Sequence, residues 1–308
     1  MYLLDKPRLS VENFYKDILY NRHNNEKNQF LITRLLLIEQ QLIEEEKKYN
    51  VLASTQELYS ITEQRTISID NSIELNENFP RQISSKEMQK VYNDYLVDKP
   101  GSSKIGRKVY NSIFSNTYYS LCPYCSHREV KTLDHYLPKS KFILHVVNPL
   151  NLLPSCSDCN KEKLNDLTLS KDKMLIHPYF DDVSNVDWLA CEVEESTWPV
   201  TFTYKVSENI TNTNIKSRID YQFKLLNLNK LYADNATREF YKRVKLLIKE
   251  FNSNPSNKAM DFINDNYESY RYENTNSWQT KMFEALGNSE WFIEEALPNL
   301  ESYYLFSE

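Results

Sequence analysis

The stretch 122-CPYCSHREVKTLDHYLPKS-140 decides how this chain is read. It opens on two cysteines two residues apart, Cys122 and Cys125, and closes on an acid beside a histidine, Asp134-His135, with Pro138 just beyond. A second turn of the same kind, Cys156-Ser157-Asp158-Cys159, follows after 30 intervening residues. Each C-x-x-C turn can offer two thiolates to one ion, and two such turns fill the four positions of a tetrahedral zinc at about 2.3 Å per bond. A site of that kind has no open position for chemistry, so its expected role is to pin a loop-rich segment that could not otherwise hold itself together. The other reading, a redox C-x-x-C, accounts for only one of the two pairs. The fifth cysteine, Cys191, reads as a small buried hydrophobe.

Within the loop closed by the two turns lie Asp134, His135 and Asn151, and directly after the last cysteine come Asn160 and Lys163. An imidazole that titrates near neutral pH suits proton abstraction from water. A carboxylate and an amide oxygen are hard ligands suited to Mg or Mn, which would leave soft thiolates to zinc, so two metals need not compete. An isolated Asp-His pair says little, because an exposed histidine is usually just solvated.

The whole ordering, CPYC...DH..P.S...NL...C..CN..K, resembles the HNH endonuclease family. That resemblance implies a ββα-metal fold over about 122–165, braced by a structural zinc on Cys122, Cys125, Cys156 and Cys159. It implies His135 as general base, with Asp134 and Asn160 holding a catalytic divalent ion, Mg or Mn. Asn151 would brace the loop and orient the histidine. Asn160 stands where many members have histidine. Lys139, Lys141 and Lys163 are candidate phosphate contacts, against the plainer reading of solvated lysines. His127 and His145 are expected to be structural, and His177, in HPYFDD, either lines the cleft or satisfies a turn.

Outward from this segment the periodicity is helical. NFYKDILY and FLITRLLLIEQQLIEEEKKY read as two helices, Asn71 to Pro80 as a loop, and Ser84 to Glu87 as a capping box opening a helix to about Leu96. Pro100-Gly101 reads as a break, and KIGRKVYNSIFSN as a short helix. Beyond Lys173, WLACEVE and VTFTYKV alternate like paired strands, and helical patterns resume from about Asn212. The expected fold is mainly α with a small α+β insert. Its parts are an N-terminal helical region (1–100), the HNH module (101–175) and a mostly helical C-terminal region with a short strand pair (176–308).

Composition narrows the function further. Three glycines in 308 residues cannot build a glycine-rich phosphate loop, so any nucleotide hydrolysis falls to a partner chain. The net charge of −6 argues against nucleic-acid binding over the whole surface. Residues 101–173, however, carry 11 Lys/Arg against 6 Asp/Glu, leaving 26 against 37 elsewhere, a basic island in an acidic body. The start, MYLLDKPRLS, lacks a secretory pattern and no apolar run is long enough to span a bilayer, so a cytoplasmic location without membrane contact is expected. The layout and the PYFDD-and-helix pattern resemble HNH subunits found with an ATPase in bacterial anti-phage systems of the Septu type. An ATPase partner and a nucleic-acid substrate, DNA first, are therefore the expected partners. Two other readings stay open: a catalytically idle zinc-knuckle module that binds nucleic acid or protein, and a transposon or homing-type nuclease, which would usually carry a basic DNA-reading extension.

Overall fold

The structure is a computed structural model. It describes residues 1–20, 26–73, 80–97, 104–165, 170–253 and 258–305. Residues Tyr2–Lys171 and His177–Asp181 form one compact unit, here the N-terminal unit, and Asp172–Ile176 with Asp182–Glu308 form the C-terminal unit.

In the N-terminal unit, helix α1 (Val11–Tyr20) buries Val11, Phe14, Tyr15, Ile18 and Leu19, the spacing of one helical face. The long apolar run read as one helix is instead two, α2 (Glu26–Leu36) and α3 (Glu39–Ser54). No glycine or proline marks the break. Leu35, Ile38 and Leu42 are all fully buried around it, so core packing rather than local propensity sets the change of direction. A short antiparallel pair follows, β1 (Thr66–Ser68) with β2 (Gln82–Ser84), which local patterning did not reveal. Most of the loop expected over Asn71 to Pro80 lies outside the described residues, as does the Pro100-Gly101 break.

The capping box is present. Glu87 N–H donates to Ser84 Oγ at 3.3 Å, and Ser84 N–H donates to Glu87 Oε2 at 2.7 Å, opening α4 (Ser85–Lys90). The helix then widens into a π-helical turn, Val91–Leu96. Turns of this kind occur often at functional sites. Helix α5 (Lys104–Phe114) packs against it so closely that a Cβ on Gly106 would collide with the Tyr95 carbonyl, so this position requires glycine. The hydrophobic core of α1 to α5 takes in Leu133, Ile143 and Leu152 from the central segment. There β3 (Thr132–His135) pairs antiparallel with β4 (Leu152–Ser155), with Asp134 opposite Leu153 and His135 opposite Leu152. Helix α6 (Ser157–Asn165) follows directly, giving the order strand, strand, helix.

In the C-terminal unit, β5 (Leu189–Val193) and β6 (Phe202–Val206) form an antiparallel pair, at the positions where apolar alternation placed strands. Helices α7 (Thr213–Leu225), α8 (Leu228–Ser253), α9 (Lys258–Glu273), α10 (Trp278–Asn288) and α11 (Leu297–Leu305) complete it. Helix α8 packs on β6 and α10 on β5. The described chain is thus mainly helical with small antiparallel strand pairs. Among the described residues no helix is long and apolar enough to cross a membrane.

Candidate functional site

Two tight turns build a four-cysteine cluster that could hold a metal ion. Cys122 accepts at its carbonyl from Ser126 N–H at 2.7 Å, and Arg128 N–H points at Cys125 Sγ at 3.5 Å. In the second turn Cys159 N–H points at Cys156 Sγ at 3.3 Å, at the start of α6. The four cysteines are buried and their sulfurs all lie within 4.8 Å of one another, a spacing and donor set that fit a tetrahedral zinc. Arg128, from the first turn, ties to Asp158, inside the second, at 2.9 Å. The thiols differ in proton affinity: burial pushes Cys122 up, while hydrogen bonding from Cys122 and the other thiols holds Cys125 low.

On the strand leading away from this cluster, Asp134 and His135 are buried at 3% and 7% exposure, yet both line a cleft of about 290 Å³. Asn160 and Lys163 reach the same cleft from α6. Asp134, Asn160 and His135, grouped by the HNH resemblance, therefore meet in one place. Lys163 sits differently from a solvated phosphate contact. It is 3% exposed, its Nζ lies 2.6 Å from Asp134 Oδ2, and it donates to the His135 carbonyl as well. Tyr124, from between the first two cysteines, donates to the same Asp134 oxygen at 3.2 Å. Burial pushes the Asp134 carboxyl up and the Lys163 ammonium down, and the attraction between the two opposes both shifts. One carboxylate and one amide on a shared cleft fit a hard divalent ion by donor type. Lys163 and Tyr124 already hold Asp134 Oδ2, so an ion on that oxygen would compete with the ammonium.

The His135 ring is set by its Nε2, 2.9 Å from the Val146 carbonyl. A carbonyl only accepts, so Nε2 carries the hydrogen and Nδ1 keeps the lone pair. Burial, aided by Lys139, pulls the pKa of His135 down to about 3. Tyr92 packs edge-on against the ring at 4.5 Å between centroids. Of the other lysines, Lys141 pairs with Glu63 at 2.8 Å, and Lys139 lies 3.4 Å from Asn93 Oδ1 and 5.0 Å from the centre of the Tyr92 ring.

Asn151 is fully buried and uses both ends of its amide. Its Oδ1 accepts from Leu137 N–H at 2.7 Å, and its Nδ2 donates to the carbonyls of Leu137 and His145 at 3.1 and 3.0 Å, closing the loop between β3 and β4. Tyr49 OH donates to Asn151 Oδ1 at 3.3 Å and lies 2.9 Å from His177 Nε2. Tyr179 N–H donates to His177 Nδ1 at 3.2 Å, so Nε2 carries the hydrogen and donates to Tyr49. His177 is therefore a brace behind Asn151 rather than a cleft residue, and the second of its two sequence readings holds. His145 is buried, and among the described residues neither ring nitrogen has a hydrogen-bond partner; Nε2 lies 3.8 Å from Glu45 Oε2. Sequence reasoning missed Tyr49, Tyr92, Asn93, Tyr110 and Tyr124. Only Tyr124, inside the C-x-x-C turn, carried a local signal.

Fold and site together define a small strand-strand-helix unit, pinned by four thiols and carrying a carboxylate, an imidazole, an amide and an ammonium on one cleft. Over 266 residues the chain is 27% identical to Protein ea31 of Escherichia phage lambda, a match covering 82% of this chain and 86% of that protein. Over 114 residues it is 32% identical to Septu protein PtuB of Bacillus thuringiensis, covering 35% of this chain and 42% of that protein. No family model matches the chain. No solved structure matches it either.

Proposed function

We propose that this chain is a metal-dependent HNH endonuclease of the ββα-metal kind, cutting phosphodiester bonds in nucleic acid as the effector of a bacterial anti-phage system. The observation that carries the reading is the convergence of Asp134, His135 and Asn160 on one cleft beside a four-thiol cluster. Asp134 and Asn160 would hold Mg or Mn, which when bound supplies charge neutralisation at the phosphate and the leaving oxygen. His135 takes a proton from the attacking water at Nδ1, since Nε2 is committed to Val146. Asn151 keeps the loop that carries His145 and Val146 closed, so the imidazole stays oriented. Similarity to a Septu protein supports the defence role. The ATPase partner comes from the Septu-type resemblance alone, and this chain, with three glycines, builds no glycine-rich phosphate loop of its own.

The idle zinc-knuckle reading has an observation in its favour as well. Lys163 neutralises Asp134, and a histidine with pKa near 3 is a weak base. Incubating the chain with Mn, alone and with its partner, on labelled nucleic acid separates the two. The nuclease reading expects cleavage that His135→Ala abolishes while fold and zinc content stay unchanged. Equal activity of wild type and variant, or none in either, defeats it.

A further inference from the structure

We infer that the cleft takes a single nucleic-acid strand in preference to a duplex, an inference about substrate class that rests on the proposed nuclease reading. The wall facing His135 and Asn160 is built by residues outside the motif: Tyr92 and Asn93 on the π-helical turn, Tyr110 on α5, and Lys139 after β3. The space they enclose, about 290 Å³, lies at the lower end of the roughly 300–1,000 Å³ that holds one small ligand. One nucleotide unit fits that space. A duplex would have to extrude a nucleotide from its stack to place one there, at an unpairing cost that a single strand avoids. A reacting phosphate must come to an imidazole only 7% exposed, behind a wall in which the Tyr92 hydroxyl donates to the Leu133 carbonyl at 3.3 Å and α5 lies close on the π-helical turn at Gly106. Enzymes with recessed chemistry meet this problem by acting on single strands or extruded nucleotides.

The lining matches such a strand. Tyr92 and Tyr110 line the cleft, and Lys139, which touches the Asn93 amide oxygen and the Tyr92 ring, brings a positive charge to the same wall. Arg107 extends the positive rim: its Nη1 donates to the carbonyl of Val97, a cleft residue, and its guanidinium lies over the Tyr110 ring at 4.9 Å. A short chain of lysine, tyrosine and arginine thus runs along one lip. Such a strip follows one backbone rather than two.

The test measures binding of the full chain, in calcium without magnesium, to a fluorescent oligonucleotide supplied as an unstructured single strand of DNA or RNA and as the annealed duplex. The single strand should bind about tenfold tighter or better, and Lys139→Glu should remove about tenfold of that affinity, whereas Lys230→Glu in the C-terminal unit should change nothing. Photocrosslinking of a halogenated-uracil strand to the unaltered chain should label Tyr92 or Tyr110, which covers the case of a Lys139 variant that folds poorly. Equal or tighter duplex binding, no binding to either form, or crosslinks confined to other residues overturns the inference. Adding Mn then separates it from the nuclease reading. A strand bound in the cleft but left uncut sinks the nuclease alone, and a duplex cut as fast as a single strand sinks this inference alone.

Discussion

The two units bury polar side chains for different ends. In the C-terminal unit several of those groups serve the backbone, although Lys281 pairs with the Asp187 and Glu284 carboxylates. Arg218 donates to the Leu175 carbonyl at 2.8 Å, Gln222 Oε1 accepts from Ile176 N–H at 2.9 Å, and Asn276 Oδ1 accepts from Trp188 and Leu189 N–H at 2.8 and 3.1 Å. In the N-terminal unit, Lys163 and Tyr124 both bond to the Asp134 carboxylate, and His177 bonds to the Tyr49 hydroxyl. A buried side chain that satisfies main-chain groups is doing architecture, since those groups must find partners anyway. Buried ionisable groups that face each other are costly unless matched, and they gather where chemistry needs perturbed acids and bases. What sets the proposed site apart is that its facing pair, Asp134 and Lys163, is buried on both sides, whereas the partners of Lys281 are 57% and 35% exposed.

The sharpest way to break the comparison is at the thiols. Cys156→Ser should abolish zinc binding, taking the metal content measured by atomic emission from one per chain to none, and should unfold the segment around 122–165. Binding energies of structural zinc sites run to about 10 kcal/mol or more, so hydrogen exchange there should lose nearly all protection. All four tryptophans, Trp188, Trp198, Trp278 and Trp291, lie in the C-terminal unit. Tryptophan fluorescence should therefore stay unchanged. A collapse of both signals together would mean that the units do not differ in the way described.

Next in size is the buried ion pair. Lys163→Met leaves the Asp134 carboxylate uncompensated at 3% exposure and should cost about 3–5 kcal/mol in chemical denaturation, with Asp134→Asn in the same chain recovering much of it. The same variant should tighten Mn binding, read by electron paramagnetic resonance, because the competing ammonium is gone. Lys281→Met in the C-terminal unit is the control. Its partners Asp187 and Glu284 are 57% and 35% exposed, so solvent takes over and the loss should stay near 1 kcal/mol. Comparable losses at both lysines would erase the distinction.

Acid should divide the units as well. Burial, with Lys48 adding to it, pulls the pKa of His145 down to about 3, against about 6.5 in an unfolded chain. The native state then holds His145 neutral while the unfolded state protonates, so its contribution is complete above pH 6.5 and is lost as pH falls toward 3. The slope approaches 1.4 kcal/mol per pH unit at most. The C-terminal unit contains no histidine, so between pH 6.5 and 5 exchange should quicken in the N-terminal unit alone. His135, pulled down to about 3 as well, adds a dependence of the same sign, so His145→Gln, which cannot titrate, should reduce the slope by about half.

What the residues disclosed in advance follows from range. The cysteine turns, the capping box at Ser84 and the alternation in β5 and β6 are local patterns, and each maps to the element described. The break at Ile38 and the β1–β2 pair are not local: they answer to packing between segments far apart in the chain. The site divides along the same line. Asp134, His135, Asn151 and Asn160 stand within 27 positions in a recognisable order, whereas Tyr49 and Tyr92 reach the loop and cleft across |i−j| of 102 to Asn151 and 41 to Leu133. Lys163 was visible as a residue but not as a partner of Asp134, because its burial depends on how α6 sits on β3.

The smallest effect tests that long-range part. Tyr49→Phe keeps the ring against His145 and His177 but removes the hydroxyl that links His177 to Asn151. The lost bonds should cost about 1–2 kcal/mol, since a buried side-chain hydrogen bond to His177 and one to Asn151 are both removed. Asn151 keeps its three main-chain bonds, so the loop stays closed and the change should appear mainly as faster exchange at Leu137 N–H. Under the proposed reaction the same variant should lower turnover severalfold with little change in binding, because the histidine is held less firmly while the cleft wall of Tyr92 and Tyr110 is untouched. If exchange at Leu137 does not move, Asn151 is set by the loop alone, and the chain from His177 through Tyr49 is packing without influence on the site.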